Sequence, residues 1–165
     1  MARRPHNKPA NPAPVAAPAL DFGPLPGYFG YHLRMAQLAD YADFAREVAP
    51  DGVSPGRFSL LTLLAHNPGI TQSALSQAVG LDKSTLTPAL EQLVRKGVVL
   101  RRKAASDRRS YALSLSPKGH ALLKRLTAGV ERHEANIIAL LSPKEQKLFL
   151  ALLKRLTQGM KARGV

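Results

Sequence analysis

The 165 residues suffice for one ordinary domain, and 24 Lys and Arg against 11 Asp and Glu, a net charge of +13, point to a polyanionic partner, nucleic acid ahead of an anionic membrane surface. With no cysteine, disulfides, thiolate metal sites and thiol redox sensing are excluded. No apolar run approaches the roughly eighteen residues that cross a bilayer, and the opening MARRPHNKPANPAPVAAP lacks the apolar core of a secretory signal, so a cytoplasmic, nucleoid-associated protein with no membrane partner is expected.

Residues 1–26 hold seven of the thirteen prolines and no acid before Asp21. Such a segment buries little and resists helix formation, so a disordered basic arm is expected there. From Gly27 the pattern changes, and YFGYHLRMAQLADYADFAREV places Phe29, Leu33, Ala36, Tyr41 and Phe44 near helical spacing. Three later helices announce themselves with Ser-Pro, at Ser54-Pro55, Ser116-Pro117 and Ser142-Pro143. Serine accepts an orphan amide while proline takes a position whose N–H would go unused, and Glu145 completes a capping box with Ser142. Asn67-Pro68-Gly69 stops the first of these helices; Thr71 then caps QSALSQAVG, and Asp82 caps KSTLTPALEQLVRKG beyond a glycine turn. VVLRRK and RSYALSLS have strand composition and read as a β-hairpin. Two amphipathic helices finish the chain, with Leu122, Leu126, Val130, His133 and Ile137 on one face of the first and Leu148, Leu152 and Leu156 on one face of the second. ALLKRLT occurs twice, at 121–127 and 151–157, and reads as two helices of similar composition rather than a duplication.

Helix, short helix, glycine turn, short helix, hairpin is the order of a winged helix-turn-helix. The expected fold is mainly α with a small β-hairpin wing (α+β) and a helical dimerisation region. The second short helix must then offer DNA a face of small polar residues, and Lys83, Ser84, Thr85 and Thr87 supply one, while Leu86, Leu90, Leu93 and Val94 face the core. Thr71, Gln72 and Ser73 open the preceding helix and join the DNA-binding set. From Arg95 to Arg109 seven basic residues surround one acid, Asp107. Arg101 and Arg102 belong to this electrostatic footprint, and Asp107 reads as a group that accepts local amides and holds an arginine at the hairpin tip for a narrow minor groove. A solvated turn with an incidental ion pair is the competing reading.

The stretch GITQSALSQAVGLDKSTLTPALEQLVRKGVVLRRKAASDRRSYALSLSPKGHALL carries L-x-x-L-x-x-x-G before the wing, D-x-R at its tip and L-S-P-K-G into the next helix. From about Gly27 to Gly159 the chain resembles the MarR family of bacterial transcription regulators, departing from it in the V-V-L of the wing approach and in a longer N-terminal arm. The resemblance implies a homodimer on an inverted repeat of double-stranded DNA, commonly as a repressor. It also implies base reading by Ser84, Thr85 and Thr87, a wing arginine at Arg109 oriented by Asp107, and a phosphate contact from Arg108. Residues 27–160 would form the family domain, with dimerisation helices at 27–48 and 116–160 and the winged unit at 54–115. Uncovered apolar stripes on the first and last helices support a dimer independently.

The resemblance further implies release by a small-molecule effector, commonly an aromatic acid or its thioester. Tyr28, His32, Met35, Arg57, Phe58 and His66 are the candidates to line its space, with core packing the competing reading of Phe58 and Met35. An arginine such as Arg57 beside a core usually has an anionic partner. No cofactor or metal is expected: there is no phosphate-binding glycine loop or nucleophile elbow, and the five histidines show no metal-site spacing. The alternatives to a sequence-specific regulator are a nucleoid-type structural protein that binds DNA without sequence choice, and an RNA-binding winged helix, which the shortage of stacking aromatics disfavours.

Overall fold

The computed structural model describes residues 20–48, 51–80, 82–103 and 111–164, with Lys83 described by its backbone alone. The described residues divide into two compact units, with the boundary between Met35 and Ala36.

Within the first unit, Asp21 accepts the amide of Gly23 at 2.8 Å and a 3-10 turn spans Leu25–Gly27, with the Gly27 amide bonded to the Pro24 carbonyl. The arm expected to run to residue 26 therefore ends in defined local structure. The proline that opens the turn and the aspartate before it are the usual makers of such a bend. Residues 1–19 lie outside the described residues.

Helix α1 (Phe29–Glu47) begins in the first unit and ends in the second. The second unit continues with α2 (Pro55–His66), β1 (Ile70–Thr71), α3 (Gln72–Val79), α4 (Lys83–Arg95), β2 (Val99–Lys103), β3 (Tyr111–Leu115), α5 (Pro117–Ile138) and α6 (Pro143–Lys161). Every cap read from the sequence forms: Ser54, Thr71, Asp82, Ser116 and Ser142 accept the amides of Arg57, Ala74, Thr85, Gly119 and Glu145, and Glu145 returns a bond to Ser142. Gly80 ends α3 in the left-handed region at φ 67°, which a Cβ would penalise and which lets α4 leave at a new angle.

The hairpin strands pair antiparallel with Arg101 opposite Leu113 and Arg102 opposite Ala112. A third, two-residue strand, β1, adds to the other edge of β3 with Ile70 opposite Leu113, giving the order β1-β3-β2. Leu60, Leu61 and Leu64 of α2, Leu75 of α3, Leu86 of α4, Val99 of β2, Leu113 of β3 and Leu126 of α5 meet in one fully buried core. Each leucine contributes about 1.5–3 kcal/mol of burial, so the core fixes the angle at which α3, α4 and the wing strands stand. By contrast α6 buries no residue, and of the stripe expected on α1 only Phe44 is buried, while Phe29, Leu33 and Tyr41 remain exposed.

Candidate nucleic-acid interface

Helix α4 starts at Asp82, whose side chain collects three donors. Thr85 N–H and Ser84 Oγ donate to Oδ1 at 2.8 and 2.5 Å, and Thr85 Oγ1 donates to Oδ2 at 3.1 Å. These bonds, that from the Ser84 hydroxyl first, hold its carboxyl at about 2, below the usual 3.8. The folded chain thus binds this proton more weakly than the unfolded one, so the stabilisation is present above the usual carboxylate range and lost as pH falls toward 2. Titration of the Asp82 carboxyl carbon by NMR is expected to show a midpoint near 2; a midpoint near 3.8 would mean that the three donors are not held.

Gln72, at the first position of α3, donates from Nε2 to Thr87 Oγ1 at 2.7 Å and ties the two helices of the motif together. Leu86, Leu90 and Leu93 are buried and Val94 is partly so, as the core face expected of α4 requires. Pro88, the sixth residue of α4, withdraws its N–H from the helical ladder, yet the helix continues to Arg95. Ser73, Ser84 and Thr85 are exposed on these helices, and Thr71, the cap of α3, is partly buried.

On β2, Arg101 and Arg102 are exposed, and the Arg101 guanidinium lies 3.9 Å from the centre of the Tyr111 ring. That stacking braces the arginine at the root of the wing. A shallow cleft of about 220 Å³ between α4 and the wing strands is lined by Gln72, Thr87, Glu91, Arg95, Arg101 and Leu113. The second short helix, the start of the first and the wing root thus converge. Asp107, Arg108 and Arg109 lie outside the described residues, as does the Lys83 side chain.

The candidate effector residues fall in both units. In the first, Tyr28 and Met35 are exposed, and the His32 Nε2 lies 2.8 Å from the Pro26 carbonyl, its ring edge-on to Tyr31. In the second, Phe58 packs partly buried on the core, 6.4 Å from the Phe44 ring, while His66 bonds back to the Thr62 carbonyl at the far end of α2. The Arg57 guanidinium donates to the side-chain oxygen of Gln92 on α4, a neutral amide that engages one of its N–H groups. Sequence reading missed Gln92, and also Tyr111 as the brace of Arg101. Tyr111 opposite Lys103, two residues from Arg101 along β2, is a signal that register supplies once the hairpin is aligned. Among the described residues no cluster of three His, Asp or Glu is placed to hold a metal, and no helix is long and apolar enough to cross a membrane.

The family model for the MarR family matches residues 53–111, from just before α2 to the first residue of β3. A transcriptional regulatory protein for the hcr operon of Thauera aromatica is 38% identical over 155 residues, covering 93% of this chain and 92% of that protein. Among solved structures, the transcriptional repressor CouR bound to a 23-mer DNA duplex superposes with a TM-score of 0.79 at 35% identity, over 84% of this chain and 99% of CouR. CouR bound to p-coumaroyl-CoA gives 0.78 at 33% identity, over 84% and 98%. The fold, the motif and a match along nearly the whole of a relative agree: the chain belongs to the MarR family of winged helix-turn-helix transcription regulators, and not to a family of enzymes.

Proposed function

We propose that the protein is a homodimeric repressor that binds an inverted-repeat operator through two winged units and is released by an aromatic acid or its coenzyme A thioester. The observation that carries this reading is the pairing of a complete helix-turn-helix with an unpartnered helical region. Leu148, Phe149, Leu152, Leu156 and Met160 of α6 are 40% to 58% exposed, more contiguous apolar surface than a helix of a lone chain keeps in water. A second copy covers such faces, so 27–48 and 116–160 act as dimerisation helices around winged units at 54–115. Residues 1–26 then form a basic arm outside the domain. The two α4 helices of a dimer would enter successive major grooves roughly 34–36 Å apart. The effector class is supported by CouR, solved both on DNA and with p-coumaroyl-CoA. In this chain Tyr28, His32, Met35, Arg57, Phe58 and His66 are proposed to meet that ligand. Thr71, Gln72, Ser73, Lys83, Ser84, Thr85, Thr87, Arg101, Arg102, Arg108 and Arg109 are proposed to meet DNA, with Asp107 orienting Arg109.

Selection from random duplexes at about 150 mM salt tests the reading, and an inverted repeat with half-sites about ten base pairs apart is expected. Arg109→Ala is expected to weaken binding to that operator by about tenfold or more at matched salt, since a minor-groove arginine sits where negative potential is focused. Equal binding by the variant would remove Arg109 from the interface. The net charge of +13 favours a second reading, nonspecific nucleoid-type binding, which predicts no enriched motif and an affinity that simply fades with salt.

A further inference from the structure

Ser84 and Thr85 are exposed residues in the first turn of α4, and the hydroxyls of both are already committed as donors to Asp82. An ionised carboxylate only accepts, so in each contact with Asp82 the hydroxyl is the donor, and a hydroxyl has one proton to give. What each still offers outward is a lone pair. Phosphate oxygens, guanine O6 and N7, and thymine O4 are acceptors as well and cannot pair with it. The donors that the major groove presents are the amino groups, N6 of adenine and N4 of cytosine. Turning either proton toward a phosphate would strip a donor from a carboxylate that the same contact brings close to DNA's own charge.

We propose that Asp82 is a positioning residue that fixes Ser84 and Thr85 as hydrogen-bond acceptors, so that these two hydroxyls read the amino group of an adenine or cytosine and do not bind phosphate. The inference rests on the reading of α4 as the helix that enters the major groove. It assigns to two residues one half of the donor-acceptor code, and to an acid at a DNA-facing helix start a reason to be there.

The test uses the full-length protein and the selected operator. At each base pair under α4 the major-groove amino group is removed by replacing adenine with purine or cytosine with 2-pyrimidinone, and each phosphate nearby is replaced in turn by a methylphosphonate. One amino deletion is expected to weaken wild-type binding about five- to tenfold, the size of one hydrogen bond, and to have no further effect on Ser84→Ala or on Thr85→Val. Both variants keep the Asp82 cap on the Thr85 amide. Coupling of Ser84 and Thr85 to a methylphosphonate position instead, or to no position, overturns the inference while leaving the operator and the proposed function standing. Absence of any selected motif overturns the proposed sequence-specific function and this inference with it. Asp82→Ser retains a capping hydroxyl but removes the carboxylate, and is expected to lose the discrimination between amino-bearing and amino-lacking duplexes. Unchanged discrimination in that variant removes Asp82 from the mechanism.

Discussion

Gly119→Ala is expected to destabilise the protein by about 3 kcal/mol or more, a large effect for one methyl group. A Cβ built on Gly119 falls 2.3 Å from the Val98 carbonyl oxygen and 3.2–3.3 Å from Leu115. The carbonyl cannot retreat cheaply, because it accepts the Ser116 amide at 3.0 Å, and Ser116 is itself pinned by its hydroxyl to the Gly97 carbonyl at 2.6 Å. Gly97 stands at φ 68°, so the corner that receives α5 depends on two glycines, one for its backbone angle and one for the space beside it. Relief requires α5 to lift from the β2 approach, which disturbs α4 and the wing root together, so operator binding is expected to fall with stability. Gly56→Ala in α2, outside the proposed dimerisation helices, is the control: nothing lies within 4 Å of its added Cβ, and a helical Gly→Ala change there is expected to be neutral or to stabilise by up to about 1 kcal/mol. Urea unfolding at one fixed protein concentration measures both, and a Gly119→Ala protein within about 1 kcal/mol of wild type would mean that the corner is looser than it stands.

The same corner shows what a sequence yields and what it withholds. Ser116-Pro117 announced a helix start because capping is local chemistry, legible in two letters, and L-S-P-K-G was legible as a motif. That its glycine exists to admit the Val98 carbonyl is a contact across 21 residues of chain, which no local pattern encodes. Strand β1 was missed for a like reason: Ile70 and Thr71 become a strand only because Leu113 and Ala112 lie beside them. At the site, the residue types were readable and their engagement was not. Ser84, Thr85 and Thr87 read as free polar groups facing DNA, yet the structure gives the first two to Asp82 and bonds the third to Gln72. Asp82 read as a cap alone, since one cap bond suffices to explain an aspartate at that position. Arg57 read as an arginine beside the core, and the amide that accepts one of its N–H groups lies 35 residues away.

His133→Leu is expected to cost about 2 kcal/mol, although leucine has similar bulk and the ring occupies an apolar helix face. His133 is only 4% exposed, and each ring nitrogen faces a carboxylate of α1: Nδ1 lies 2.7 Å from Asp43 and Nε2 3.1 Å from Asp40. Its ring also stands edge-on to Phe44 at 5.4 Å. Leucine keeps the bulk but leaves Asp43 without this hydrogen bond and Asp40 without the ring nitrogen that faces it. The penalty stays below that of a fully buried broken pair, since the side chains of Asp40 and Asp43 are 40% and 20% exposed and retain water, and Arg46 and Asn136 still reach Asp43. The hydrogen bond from His133 is also the first cause of the lowering of the Asp43 carboxyl below its usual 3.8. A lowered carboxyl binds its proton more weakly in the folded chain, so the stabilisation it reports is present above about 3.8 and lost as pH falls below it. His133→Leu is therefore expected to flatten the acid limb of the stability curve as well as to lower its plateau. Combining it with Asp43→Asn separates the contributions: recovery of part of the loss in the double variant assigns that part to the stranded Asp43 carboxylate, whereas strictly additive losses would assign it to the ring's contacts with Asp40 and Phe44.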